Sequence, residues 1–430
     1  MSDNAIGKNE SAWNSLFSKY NILDHIADKG KFVISASSIK EFREPRLMAK
    51  FDHVVNLPKL FQENNLAILP TARGEYIISH FKAYHRMEQI SSEISEFPLP
   101  NFLQSLDSTA ISSEAIALNC AMASGIIADF LGEPEVYSTV SGRMGSGSFS
   151  FQIDSNINDN KFKIDVSGVQ IEIDGAFEGV ESLALFEAKR DISEDFLIRQ
   201  LYYPFRVWAN KLSKKIRSIF LVYTNGVYRL FEYQFEDIDN YSSVRLVRQK
   251  NYSIESTDIS FVDIENNLKR VTIQNEPDIA FPQADNFERV INICELLKEQ
   301  PLNRNQVTAR YAFDIRQTNY YTDAARYLGL IEKCIEKRVP FYKLTEMGER
   351  ILCLNYKARQ MAFCECILSH KVFHDVMTFV CEAGRIPDKT KIVQLMKNTK
   401  LFNVDSDSTY DRRASTVRGW ISWILSLRTE

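Results

Sequence analysis

The chain has 430 residues, a formal net charge of −4, and a composition that is 45% hydrophobic, 25% charged and 12% aromatic. These totals exclude a disordered or fibrous protein and point to a folded soluble one. At about one domain per 150 residues they predict two or three domains. No stretch approaches the roughly 18 consecutive apolar residues of a membrane span, and the opening MSDNAIGKNESAWNSLF lacks the basic flank and apolar run of a secretion signal. A cytoplasmic protein without membrane contact is therefore expected. Seven scattered cysteines fit a reducing compartment, and the close pair Cys364 and Cys366 reads as buried thiols because no second ligand pair accompanies it.

Residues 10–90 open with an amphipathic helix (Trp13, Leu16, Phe17, Tyr20, Ile22) and continue through the strand-like GEYIISHFK. They are basic around Arg43, Arg46 and Lys50, where DNA contact and a solvated helix face are both open readings. Next, SSEAIALNCAMASGIIADFLG predicts one helix, capped by serines at its start and by Gly132 at its end. EVYSTVSGRMGSGSFSFQI reads as strand, Gly/Ser-rich turn and strand, and KIDVSGVQIEID and LALFEAKR as two further strands. EDFLIRQLYYPFRVWANKL is a helix whose Tyr202, Tyr203, Phe205 and Trp208 read as core, and RSIFLVYTNGVYRLFEYQF is a hairpin turning at Asn225-Gly226. The order predicts a mixed sheet flanked by helices, an α/β (α+β) core.

NEPDIAFPQAD, residues 276–286, reads as a linker. Beyond it, NFERVINICELLKEQ, LNRNQVTARYAF and RQTNYYTDAARYLGLI are three short helices, followed by strand, turn and strand in EKCIEKRVPFYKLTEMGERIL. That is the pattern of a winged helix, whose last helix enters the DNA major groove. A second, less regular helix-turn-helix is expected in 356–430. Residues 301–430 carry 21 Lys and Arg against 14 Asp and Glu, an excess of +7, which leaves 31 against 42, or −11, for residues 1–300. The split points the C-terminal part toward a polyanion, although an ordinary solvated surface fits so modest an excess. Arg316, Gln317, Asn319 and Tyr320 open the third helix, where side chains reach base edges, and Arg412, Arg413 and Arg418 are further base or phosphate contacts. A winged helix also serves protein interaction.

Asp174, Glu187 and Lys189 occupy strand positions where apolar residues belong. In VQIEID, alternation places Val169, Ile171 and Ile173 on one face and Glu172 and Asp174 on the other. If the two strands pair, Asp174 meets Glu187 and Lys189, and such carboxylates require a positive partner. A hard divalent cation meets that need, lowers the pKa of a bound water and stabilises charge on a phosphate. The other reading is a surface salt-bridge cluster.

IDGAFEG followed by LALFEAKR resembles the PD-(D/E)xK nuclease superfamily, with Asp174 as the first acid and Glu187, Ala188 and Lys189 as the ExK half. Ile173 stands where the nominal motif has proline. The resemblance implies that Asp174, Glu187 and Glu114 hold magnesium, with manganese a substitute, that Lys189 assists the attacking water, and that Gln200 lies near the site. Together with the winged-helix tail, the chain resembles a type II restriction endonuclease. The expected domains are an accessory region at 1–90, the nuclease core at 91–275, a winged helix at 285–355 and a second helix-turn-helix at 356–430. Double-stranded DNA, a homodimer on a symmetric site and a genetically linked DNA methyltransferase follow as expectations. SGRMGSGS lacks the Lys-Ser or Lys-Thr step of a phosphate loop; it reads as a flexible turn or as a place where Arg143 approaches DNA phosphate. The alternatives are a transcriptional regulator with an inert nuclease-like domain and a structure-specific repair nuclease.

Overall fold

A computed structural model describes residues 7–88, 91, 93–310, 315–336 and 339–429. Tyr311 to Phe313 of the second C-terminal helix and Lys337 and Arg338 of the hairpin turn, both placed by the sequence reading, lie outside the described residues.

The N-terminal part packs helices Lys8–Tyr20 and Ile22–Lys29 around Trp13, Leu16, Phe17, Ile22 and Phe61, against strands β1 (Phe32–Ser35), β2 (Ala67–Ala72) and β3 (Glu75–Ser79). The short strands β4 (Tyr84–Arg86) and β5 (Ile94–Glu96) lead into the central region. There the expected single helix is two, Glu114–Ala123 and Ile126–Leu131. Gly125, at φ 88°, breaks it, because a left-handed residue ends the run of i→i−4 bonds. Ser113 caps the first helix and Gly132 the second.

Strands β6 (Tyr137–Gly145) and β7 (Ser148–Asp154) do not form the expected hairpin. The stretch expected to be one strand is also two, β8 (Lys161–Ser167) and β9 (Gln170–Glu178), separated by Gly168 at φ 65°. β7 pairs with β8 in a five-stranded sheet of order β1-β3-β2-β8-β7, whereas β6 pairs with β9 in another sheet. Residues 148–167 thus form a hairpin that leaves the central region and completes the N-terminal sheet.

β10 (Ser182–Lys189), β11 (Asp195–Leu197), β12 (Lys215–Thr224), β13 (Val227–Phe235) and β14 (Val244–Ser253) follow. The central sheet is mixed and seven-stranded, in the order β5-β14-β13-β12-β10-β9-β6, with β10 and β12 parallel. One face packs on Ala117, Leu118, Ile126 and Phe130, and the other on Leu201, Tyr202, Tyr203 and Val207 of helix Arg199–Ala209. That helix begins later than expected, because residues 195–197 pair with β4. β12 and β13 turn at Asn225 and Gly226, with φ 51° and 78°, as the Asn-Gly signal predicts.

The C-terminal region starts with helix Phe287–Glu299, β15 (Leu302–Asn303), helices Arg304–Arg310 and Ile315–Tyr327, and the hairpin of β16 (Ile331–Glu336) and β17 (Val339–Leu344). Helices Glu346–Leu352, Tyr356–Leu368, Lys371–Ala383, Lys389–Lys397 and Asp407–Ser426 complete it. One apolar cluster runs from Phe287 through Phe363, Phe373 and Trp420 to Ile424, so the two parts expected as separate C-terminal domains share a core. Among the described residues no helix is long and apolar enough to cross a membrane.

Glu232 is the centre of a buried charge group in the central sheet. It accepts two 2.8 Å bonds from Arg217 and one from Arg248, and Arg217 also donates to the Leu131 carbonyl at 2.7 Å. Burial alone would raise the Glu232 carboxyl, but the arginine bonds and charges hold it below the usual range. Its folded pKa is then below its unfolded value of about 4.3, so this stabilisation is present above that pH and is lost as pH falls through the folded value. Glu232→Ala strands the buried Arg217 guanidinium and removes the partner of the half-exposed Arg248, and is expected to cost about 3–5 kcal/mol in urea unfolding at neutral pH, with a smaller difference in acid. A loss below about 1 kcal/mol would contradict this account.

Candidate active site

Along β10, Leu183 and Leu185 face one side of the sheet and Ala184, Phe186 and Ala188 the other. Glu187 and Lys189 continue the leucine side, which faces helix Arg199–Ala209. β9 pairs antiparallel, with Gly175 opposite Phe186 and Ala176 opposite Leu185, so Asp174 falls beside Glu187. The strict alternation expected for β9 fails here. Ile173 and Ala176, three apart, join the same apolar cluster, and the β6–β9 register shifts between the pairs Val140–Ala176 and Gly142–Ile173. A bulge adds one residue and turns Asp174 onto the face of Ile173 rather than that of Glu172.

Asp174 Oδ2 accepts from the Ala188 amide at 2.8 Å, which ties the two strands together at the site. Glu187 Oε1 accepts from Lys189 Nζ at 2.5 Å and from Gln200 Nε2 at 2.7 Å. The Glu187 and Lys189 side chains are 12% and 18% exposed. Burial pushes the Glu187 carboxyl up; Lys189 opposes that, and the charges of Asp174 and Asp52 add to it. Burial acts to lower Lys189, but Glu187, Asp174 and Asp52 outweigh it and keep the amine protonated far above neutral pH. One cation therefore faces several acids, and the site is short of positive charge.

Among the described residues no group of three or more His, Cys, Asp and Glu side chains is close enough to hold a metal ion. Glu114, the expected third ligand, lies exposed at the start of its helix and lines the same cleft without completing such a group. Magnesium does not require one, since it keeps several waters and binds through one or two carboxylates plus substrate oxygens. Asp174 and Glu187 fit that donor set. So does the buried Gln200 Oε1, which has no hydrogen-bond partner among the described residues and is an oxygen left for an ion or its water.

These side chains form the floor of a cleft of about 720 Å3. Arg143 and Arg199 line it from the central region, and Arg46, Lys50 and Arg73 from the N-terminal part. Arg143 is exposed, pairs with Glu172 at 3.2 Å and lines the cleft wall. Sequence reading missed Arg73 and Arg199, because nothing local reveals that the N-terminal sheet folds over β9.

The segment from Lys189 to Gln200 is held from both sides. Asn292 of helix Phe287–Glu299, 2% exposed, donates to the Arg190 carbonyl at 2.9 Å and accepts from the Ile192 amide at 3.2 Å. Arg190 pairs with Glu299 at 2.5 Å, and Arg289 with Glu194 at 3.1 Å. On the other side His53 Nδ1 meets the Asp195 carbonyl at 2.6 Å, and the Leu197 amide donates to the Asp52 carbonyl at 3.0 Å. An isolated Asn or His carries no signal in the sequence that would have found these supports.

Arg316, Gln317, Asn319 and Tyr320 lie on helix Ile315–Tyr327, and Arg412, Arg413 and Arg418 on helix Asp407–Ser426. The structure brings Arg413 beside Tyr320, Asp323 and Arg412. Burial first, then Arg412, lowers the Arg413 pKa, and Tyr320 and Asp323 oppose this. Arg418 is separate, lining a second cleft of about 620 Å3 with Tyr321, Arg289 and Glu194. None of these C-terminal residues lines the cleft of Glu187.

Three stretches match known domain families. Residues 10–78, 79–253 and 289–429 match DUF6996, DUF6997 and DUF7226, each described as a domain of unknown function. No curated protein and no solved structure matches the chain.

Removing the buried Asn292 anchor leaves the half-buried Arg190 carbonyl and Ile192 amide without it. Asn292→Ala is expected to cost about 1–3 kcal/mol in urea unfolding, whereas alanine at the exposed Lys8 should change stability by less than about 0.5 kcal/mol. Equal small effects would show that helix Phe287–Glu299 does not hold this segment.

Proposed function

We propose that the protein is a magnesium-dependent endonuclease that hydrolyses phosphodiester bonds of double-stranded DNA, of the PD-(D/E)xK kind and used as a type II restriction enzyme. The observation that carries this reading is the convergence of Lys189 and Gln200 on the buried Glu187, beside Asp174, in the floor of a cleft with basic walls. A bound magnesium or manganese ion supplies positive charge against phosphate oxygens and makes a water more acidic. Asp174 and Glu187 would hold it. Lys189, protonated, acts as a donor rather than a base: it orients the attacking water or takes up charge on the phosphorus oxygens. Gln200 fixes the Glu187 carboxylate so that both groups keep one geometry.

The C-terminal order helix, strand, helix, helix and hairpin supports a winged helix in which Arg316, Gln317, Asn319 and Tyr320 read bases, with Arg412 and Arg413 alongside. Cutting both strands calls for two active sites, so a homodimer on a symmetric sequence is part of the proposal. A methyltransferase encoded nearby would protect the host site.

Purified protein incubated with phage DNA is expected to give discrete bands with magnesium and none with chelator. Asp174→Ala, Glu187→Ala and Lys189→Ala should each lower the rate by roughly 10²–10³-fold or more. Intact DNA in every lane, or variants that cut as well as the parent chain, would reject the proposal.

A further inference from the structure

The N-terminal part has no role in the chemistry just described, yet it supplies one wall of the cleft. Arg46 and Lys50 lie in the segment from Pro45 to Lys50, and Arg73 sits at the tip of the β2–β3 turn. All three are exposed. Arg46, Arg73 and Arg199 make no ion pair with a carboxylate among the described residues, and Lys50 reaches Asp52 only at 3.8 Å with its own side chain 64% exposed. Such an exposed pair contributes little and leaves the cation free to exchange partners.

Charge makes this arrangement specific. The floor carries Asp174 and Glu187, and Glu114 and Glu172 also line the cleft. A phosphate approaching those acids is repelled unless cations at the mouth offset them. Unpaired arginines with a planar fork of donors suit a phosphodiester.

The wall is also fixed rather than hinged. The Phe51 carbonyl, next to Lys50, accepts from Tyr84 at 2.9 Å, and the Asp52 carbonyl accepts from the Leu197 amide at 3.0 Å. The Pro70 carbonyl, at the base of the Arg73 turn, accepts at 3.0 Å from Tyr203 on the helix of Gln200. β8, continuous in the chain with the Asp174 strand, pairs with β2 at Ala72 and Ser167. The cations are thus held in a set relation to the catalytic floor.

We propose that residues 7–79 form a phosphate-binding jaw in which Arg46, Lys50 and Arg73, with Arg143 and Arg199 on the other wall, grip the backbone of the DNA strand that lies over Glu187. This rests on the nuclease reading, and it assigns the N-terminal part to substrate binding independent of base sequence.

The test is fluorescence anisotropy of a labelled duplex, titrated in magnesium over a range of salt concentrations, with Lys189→Ala as the parent so that DNA stays intact. Adding Arg46→Ala, Lys50→Ala and Arg73→Ala should weaken binding roughly tenfold or more and flatten the salt dependence by about one unit of slope for each phosphate no longer neutralised. A control with Lys8→Ala, Lys29→Ala and Lys40→Ala, which removes the same charge away from the cleft, should bind within about twofold of the parent. Arg73→Ala alone, at an exposed turn, keeps the test valid if the triple variant unfolds. Unchanged affinity and slope in the jaw variants, equal losses in the control, or no duplex binding at all would overturn the jaw. If the parent chain with Lys189 restored fails to cut DNA while the jaw variants still lose binding, the nuclease reading falls and the jaw stands.

Discussion

A carboxylate placed near the end of a buried strand organises this molecule. Glu187 extends the apolar face of β10, a strand paired on both sides and covered by helices, so its charge must be balanced locally or the strand would not stay buried. Lys189 and Gln200 supply two donors, and Asp174 anchors the neighbouring strand through the Ala188 amide. The balance is incomplete, because burial, Asp174 and Asp52 still push Glu187 up against the pull of Lys189. The deficit of positive charge and the unpartnered Gln200 Oε1 are the two features on which the proposed cation site rests.

Holding two opposed groups in one geometry also constrains the rest of the chain. Lys189 and Gln200 are joined by a segment of little regular structure, and that segment is fastened by the first C-terminal helix through Asn292, Arg289 and Glu299 and by the N-terminal part through Asp52 and His53. The same C-terminal helix accepts the Asn225 amide through Glu295, and Asn225 exchanges hydrogen bonds with Gln360. The floor of the cleft, its basic wall and the C-terminal helices Phe287–Glu299 and Tyr356–Leu368 are therefore parts of one framework.

What the sequence discloses and what it withholds follow the range of the interactions. Asp174, Glu187 and Lys189 stand out because each puts a charge at a strand position where an apolar residue belongs, and Asn225-Gly226 announces its turn because both residues tolerate positive φ. The bulge at Asp174 was invisible, since one extra residue on a strand is defined only by its partner β6. Gly125 and Gly168 split elements that hydropathy read as continuous, each through a left-handed backbone that leaves the periodicity nearly intact. The hairpin of β7 and β8 joins a sheet assembled mostly from residues 32–79, a long-range pairing that no window of sequence contains. For the same reason Arg73, Arg199 and Asn292 gave no sign of their positions, while Glu114 carried a local helix-start signal that the dipole alone explains.

The central claim is that Asp174 and Glu187 together make a divalent-cation site, and the most direct measurement is manganese binding followed by electron paramagnetic resonance of the free ion during titration of the intact chain without DNA. The account predicts saturable uptake by the parent chain that competes with magnesium and is lost in both Asp174→Asn and Glu187→Gln, two variants that keep the size of the side chains. Uptake that survives both substitutions, or no uptake by the parent chain at millimolar manganese, would contradict it.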